Sequence, residues 1–388
     1  MKSKKILLPF SIYFLILAGV AAHGPYRVLY YQSLSFTGTQ IGLLTGVAPL
    51  ITIFCFPLLT GLADRTQKHK QLMSLSLFAA IILLIAFPFV KNFLPLFALV
   101  ILFTILFSLQ NPLMSSASMY MLGEHKQLFG RVRLGGTLGY SLIGLVAGFF
   151  VENYGLKIAF WGAAGIFMLA LLLSQKMVHG SEESQKGTDW RRMAELLKKP
   201  HFQLFLLIAL SGGISFASLN TYLFPYMKSL GAGESLMGIA LTVGTLIEIP
   251  VLFFANRFIG RFKAYHLLVF SLAMTGLRFL LMAIAPNPTF VLFIQLINGL
   301  NYPLLTVAGV AFADEHAPEG FRASAQGLFY VAYSGIGAAI GGFAGGLVFE
   351  TLGPKGMYQV FCIFIFVVIV LVSVIYRLIK PERSELIQ

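Results

Sequence analysis

The chain has 388 residues, of which 57% are hydrophobic and 11% charged, with a formal net charge of +13. A water-soluble domain carries about 25% charged residues, so most of this surface is built to face something other than water. An excess of Lys and Arg is also a mark of nucleic-acid binders, but here the charges sit between long apolar runs. Cys55 and Cys362 both lie inside such runs, so no disulfide framework is implied.

The chain opens with MKSKK followed by ILLPFSIYFLILAGVAA, a layout shared with signal peptides. The polar, aromatic HGPYRVLYY that follows suits the far end of a retained helix instead, at about residues 5–30. Further apolar runs come at about 39–62, 72–90, 94–120, 134–151 and 156–175. After the polar stretch KMVHGSEESQKGTDWRRMAELLKKPH, six more occupy about 202–227, 235–255, 265–285, 289–312, 322–349 and 357–378. Each approaches or exceeds the ~20 residues that cross a hydrocarbon core. The expected architecture is therefore an all-α integral membrane protein of twelve transmembrane helices. Two pseudo-symmetric six-helix bundles, residues 1–176 and 201–388, flank a linker at 177–200.

Orientation follows from the positive-inside bias. Of the 28 Lys and Arg residues, 22 lie in segments on the side of the termini. Four (Lys91, Lys157, Lys228 and Lys355) lie opposite, and Arg27 and Arg278 fall within spans. Both termini and the linker are expected in the cytoplasm, with the chain in the plasma membrane.

The two halves also repeat. GFFVENYGLKIAF (148–160) aligns without gaps to GLVFETLGPKGMY (346–358), placing Glu152 over Glu350 and Lys157 over Lys355. QNPL (110–113) matches NYPL (301–304), and GLADRTQKHK after the second span corresponds to ANRFIGRFK after the eighth. A parallel repeat of this kind implies a cavity on the pseudo-two-fold axis.

GLADRTQKHK resembles the loop between the second and third helices of the major facilitator superfamily (MFS), with Asp64, Arg65 and Lys68 at its charged positions. FGRVRLGGTLGY (129–140) is similar to the start of the fifth helix in lactose permease and phenylpropionate permease proton symporters. Glu248 and Arg278 match positions in the eighth and ninth helices of that group. RASAQGLF (322–329) is similar to the eleventh-helix start of nucleoside–proton symporters. The resemblance implies the MFS fold, solute transport and a monomer. Departures are visible: Tyr140 stands where lactose permease has a sugar-stacking Trp, and the fourth span has no acid. The tenth offers Asn298 and Asn301 in place of a His and a Glu.

Glu248 stands alone in TLIEIPVLFF (245–254), with no other acid or base within seven residues. A charge at mid-bilayer costs about 2.5–3.5 kcal/mol on insertion scales, and intramembrane ionisable residues usually serve function. Glu248 is expected to carry a proton or accept from a substrate hydroxyl, or else to form a structural ion pair with Arg278. Arg278, in the outer part of the ninth span, would orient Glu248 or pack against it.

His23 and Arg27 share a helix face at i, i+4 spacing. They either line the cavity or join Tyr26, Tyr30 and Tyr31 in an interfacial belt. Arg131 reads as an ordinary positive-inside charge, while Arg133 aligns with a substrate-contacting arginine of the sugar symporters. Gln110, Asn111, Asn220, Asn298 and Asn301 fall near mid-depth, where an unpaired amide is costly. They are expected to line the cavity beside Pro112 and Pro303, interhelical ties being the alternative. Tyr140 and Gln326 complete the expected substrate set. Asp64, Arg65, Lys68 and Arg257 form the expected gating set.

No Walker loop, metal cluster or nucleophile–base pair is present in the sequence, so no cofactor or enzymatic reaction is expected. The expected function is secondary active transport of a small organic solute by alternating access, coupled to protons as a symport. The solute classes that fit are an aromatic or other organic acid, a sugar or a nucleoside. A surplus of cavity cations (Arg27, Arg133, His23) would favour the acid. A drug–proton antiporter of the same fold is the main rival, and a passive channel or a receptor is a second. The partners implied are the solute, protons and lipid, with no nucleic acid.

Overall fold

The structure, a computed structural model, describes residues 2–178, 196–317 and 321–379, so most of the linker at 177–200 lies outside the described residues. Every regular element among them is helical. The N-terminal half comprises α1 (Lys2–His23), α2 (Arg27–Ser33), α3 (Gly38–Thr66), α4 (His69–Ala86), α5 (Phe93–Phe107), α6 (Gln110–Leu122), α7 (Phe129–Tyr154) and α8 (Lys157–Ser174). The C-terminal half begins with α9 (Pro200–Thr221), α10 (Leu223–Ser229), α11 (Glu234–Leu246), α12 (Glu248–Phe253) and α13 (Ala255–Arg261). It continues with α14 (Ala264–Ile284), α15 (Pro288–Ile294), α16 (Asn298–His316), α17 (Arg322–Tyr330) and α18 (Ala338–Leu378).

Among the described residues, ten stretches are long and apolar enough to cross a membrane. Two of them, Phe93–Tyr154 and Ser324–Leu378, run 62 and 55 residues, far beyond the ~20 that one crossing needs. Each folds back on itself. The first turns at the 3-10 segment Gly123–Leu128, and the second at Gly353, whose φ of 73° suits a residue without a Cβ. Twelve passes result, six in each half.

Several passes are broken near mid-membrane. Proline supplies no N–H and clashes with the carbonyl four residues earlier. Pro112 accordingly divides the fourth pass between α5 and α6, and Pro250 divides the eighth between α11 and α12. A 3-10 turn, Gln295–Ile297, interrupts the tenth pass, and a π-helical turn, Val331–Gly337, interrupts the eleventh.

Across the two halves, packing is heaviest between α7 and α11 and between α3 and α18. Both contacts run through small residues that let backbones touch. A Cβ on Gly238 would lie 2.6 Å from the Gly144 carbonyl oxygen, and one on Gly346 would lie 2.8 Å from Gly42 Cα. Both contacts sit at the distal end, opposite the two termini. At the other end α13 and α17 make their substantial contacts within their own half. The halves therefore close on each other distally and part toward the termini.

Candidate functional site

The break in the eighth pass places Glu248 at the first residue of α12. Its carboxylate Oε1 accepts from Asn298 Nδ2 at 2.6 Å, and the same amide nitrogen donates to the Gly244 carbonyl at 3.0 Å. Gly299 permits this approach, because a Cβ there would lie 2.6 Å from the Ile247 carbonyl oxygen. Asn298 Oδ1 in turn accepts from Arg278 Nη1 at 2.6 Å, and Gln295 Oε1 accepts from Arg278 Nη2 at 2.6 Å. Since a guanidinium only donates, these bonds fix which way both amides point. Arg278 is fully buried.

Glu248 and Arg278 thus do not form the direct ion pair considered from sequence. A neutral amide stands between them, and two amide oxygens three residues apart on the tenth pass solvate the guanidinium. A buried charge needs hydrogen-bonding partners even where no counter-charge touches it. Gln295 went unnoticed in the sequence; its signal was a second amide one turn before Asn298.

Tyrosines from three other passes lie in the neighbourhood of the acid. Tyr140 of the fifth, Tyr302 of the tenth and Tyr333 of the eleventh all lie within Coulombic reach of Glu248. Tyr302 stacks on Phe216 at 4.4 Å between centroids and on Tyr333 at 6.3 Å. Tyr333 sits on the π-helical turn, and its buried hydroxyl has no protein partner. Turns of this type concentrate at functional sites. A small cavity opens among Phe216, Thr275, Asn301, Tyr302 and Tyr333. Arg133 is exposed, and its charge reaches Tyr13 of one half and Tyr302 of the other, which places it between the bundles. Arg131 is also exposed.

Apart from Asn301 at the small cavity, the remaining expected residues disperse. His23 is buried inside the N-terminal bundle, edge-on to Phe103 and Phe167. Its Nδ1 bonds the Gly19 carbonyl at 2.7 Å, and its Nε2 accepts from Arg27 Nη2 at 2.7 Å. The Arg27 guanidinium lies 4.9 Å above the Phe103 ring, a cation–π contact. Gln110 ties α6 to α4, donating to the Met73 carbonyl at 3.2 Å and to Ser76 at 2.7 Å. Asn301 is buried; its side-chain oxygen accepts from the Tyr302 amide, and Ser271 of the ninth pass donates to its main-chain carbonyl. Asn220 bonds back to Phe216 within its own helix, Asn111 is exposed, and Gln326 is half-buried. Arg65, Lys68 and Arg257 are exposed at the end of the molecule that bears the termini, and the Asp64 side chain lies outside the described residues.

A model of the MFS_1 like family matches residues 10–360. The chain belongs to this family. As an MFS protein it is a multi-pass membrane solute transporter. It is 27% identical over 328 residues to the uncharacterized transporter YwbF of Bacillus subtilis, covering 84% of this chain and 82% of that one. It is 24% identical over 383 residues to the maltose permease of Geobacillus stearothermophilus, covering 98% and 96%. With the nucleoside permease NupG of Escherichia coli it shares 22% over 348 residues, covering 84% and 83%. The crystal structure of the nucleoside transporter NupG superimposes with a TM-score of 0.79 at 18% identity, covering 98% of this chain and 99% of the other. At that identity the likeness concerns the fold.

Proposed function

We propose that this MFS protein is a proton-coupled symporter that carries a neutral, hydroxyl-rich solute of the sugar or nucleoside class by alternating access. The proposal places both termini in the cytoplasm and the chain in the plasma membrane. The single observation that carries it is the setting of Glu248. It is the one acid in the broken middle of the eighth pass, held by Asn298 and faced by tyrosines of both bundles.

A carboxylate there can take a proton in one state of the transporter and release it in the other. A two-unit difference in affinity for the proton between states couples about 2.7 kcal/mol. Stacked aromatic rings beside a carboxylate suit a solute with a flat or ringed apolar face and several hydroxyls. His23 and Arg27, counted from sequence toward an anionic solute, face the interior of one bundle, and Arg278 is sealed against amides. Of the three cations expected to favour an acid, that leaves only the exposed Arg133 outside a bundle interior, which removes the surplus that favoured an organic acid. The maltose and nucleoside permeases among its relatives agree with this choice.

The test is proton movement in proteoliposomes carrying a pH-sensitive dye, scanned over sugars, nucleosides, aromatic acids and cationic dyes. External alkalinisation on adding a sugar or a nucleoside is expected. A response confined to organic acids, or proton release driven by cationic dyes, would overturn the assignment.

A further inference from the structure

The two matching acids of the repeat, Glu152 and Glu350, belong to neither the cavity nor the expected gating set, yet both reach across the interface between the bundles. Glu152, near the end of α7, accepts from the Ser235 amide at 2.8 Å. Glu350, in the half of α18 that precedes Gly353, accepts from the Thr39 amide at 2.9 Å and the Thr39 hydroxyl at 3.1 Å. Ser235 and Thr39 are each the second residue of their helices, α11 and α3. Each carboxylate of one bundle therefore caps the same amide position at the start of a helix in the other bundle.

Free N–H groups at a helix start favour an anion. The local sequences fit this use. Gly233, at the start of α11, has no side chain with which to cap its own helix, and a Cβ there would lie 2.8 Å from Glu152 Oε1. Gly38 similarly leaves room for Glu350 on α3, and Gly148 brings the α7 backbone onto Ser235. Around Glu152 the Glu234 charge is compensated by Lys228 at 2.6 Å.

We propose that Glu152 and Glu350 are paired gating residues of the transport cycle, two equivalent latches that hold the distal mouth shut and let go together when it opens. The proposal rests on the alternating-access reading above. A rigid-body opening must break both contacts at once, so their effects multiply.

The test places a single reporter cysteine, Thr45→Cys, beneath the distal contact in a Cys55→Ser, Cys362→Ala background. Its labelling by a membrane-impermeant maleimide is followed on intact cells. Removing either latch with Glu152→Ala or Glu350→Ala should raise the labelling rate roughly fivefold, and removing both roughly twenty-five-fold, the loss expected of one capping contact each. Glu152→Gln and Glu350→Gln keep the size and one acceptor and should give smaller increases, which guards against misfolding in the alanine variants. Unchanged labelling in a folded double variant, or an effect of one acid alone, would overturn the paired latch. A second reporter, Tyr330→Cys at the opposite mouth, labelled by the same reagent in inside-out vesicles, isolates the underlying reading. If added solute shifts the two reporters reciprocally while the latch variants shift neither, the latch fails and alternating access stands. If solute moves neither, alternating access fails.

Discussion

Asn298 joins Glu248 to Arg278 through opposite ends of one amide, donating to the acid at 2.6 Å and accepting from the guanidinium at 2.6 Å. The acid and the buried cation are thereby linked without touching, and the eighth, ninth and tenth passes meet at one side chain. Under the proposed proton coupling, protonating Glu248 would weaken the acceptor at one end of this link and so tie the proton to the relation between the eighth and tenth passes.

Asn298→Ala removes three hydrogen bonds and leaves Arg278 with Gln295 as its remaining side-chain acceptor. Leaving a buried charge under-solvated is expensive, so a loss of about 2–4 kcal/mol is expected, read as a lower thermal midpoint in detergent. Gln295→Met should destabilise in the same direction with a smaller effect, because Asn298 stays in place. An unaltered midpoint in both variants would mean that Arg278 is solvated some other way.

Tyr333→Phe separates binding from packing. The ring keeps its stacking on Tyr302 and Phe329, and the hydroxyl that is removed has no protein partner. Stability should hold within about 0.5 kcal/mol, while solute affinity falls by roughly tenfold if the hydroxyl meets the solute. Equal affinity in isothermal titration would remove Tyr333 from the site.

Arg27→Met tests the placement of the first-pass cation. Because Arg27 bonds His23 and covers Phe103 inside the N-terminal bundle, the solute KM should stay within about twofold and the cost should fall on stability. A KM raised more than tenfold in a well-folded variant would return Arg27 to the cavity.

Gly238→Val should block distal closure. Its Cβ would meet the Gly144 carbonyl oxygen at 2.6 Å with no flexible neighbour to give way. Transport should drop at least about tenfold while solute binding in detergent persists, as expected when a required conformation is overpacked. Normal transport would show that the backbones need not come this close.

The twelve passes, the two halves and the lone acid at position 248 were legible in the sequence, because hydropathy and repeats record length and chain order directly. Which way a side chain faces was not. In a bilayer both lipid and bundle interior are apolar, so the pattern around His23 and Arg27 gives no sign that they point inward to Phe103 and Phe167. Gln110 was expected in the cavity and bonds a neighbouring helix, whereas Asn301 does line the small cavity, its side-chain oxygen taken by the next residue's amide. The sequence expectation of a Glu248–Arg278 pair had the correct partners but lacked the amide between them. Glu152 and Glu350 were visible as matching letters, but only the fold shows that each reaches a helix start in the opposite half.

The most direct measurement is to compare solute exchange with uphill accumulation in proteoliposomes containing Glu248→Gln. A glutamine mimics the protonated acid in size and charge but cannot release a proton. The account predicts that exchange at equal concentrations continues, while accumulation driven by a pH gradient disappears. Accumulation against a gradient at the wild-type level in Glu248→Gln would contradict it and assign proton coupling to another group.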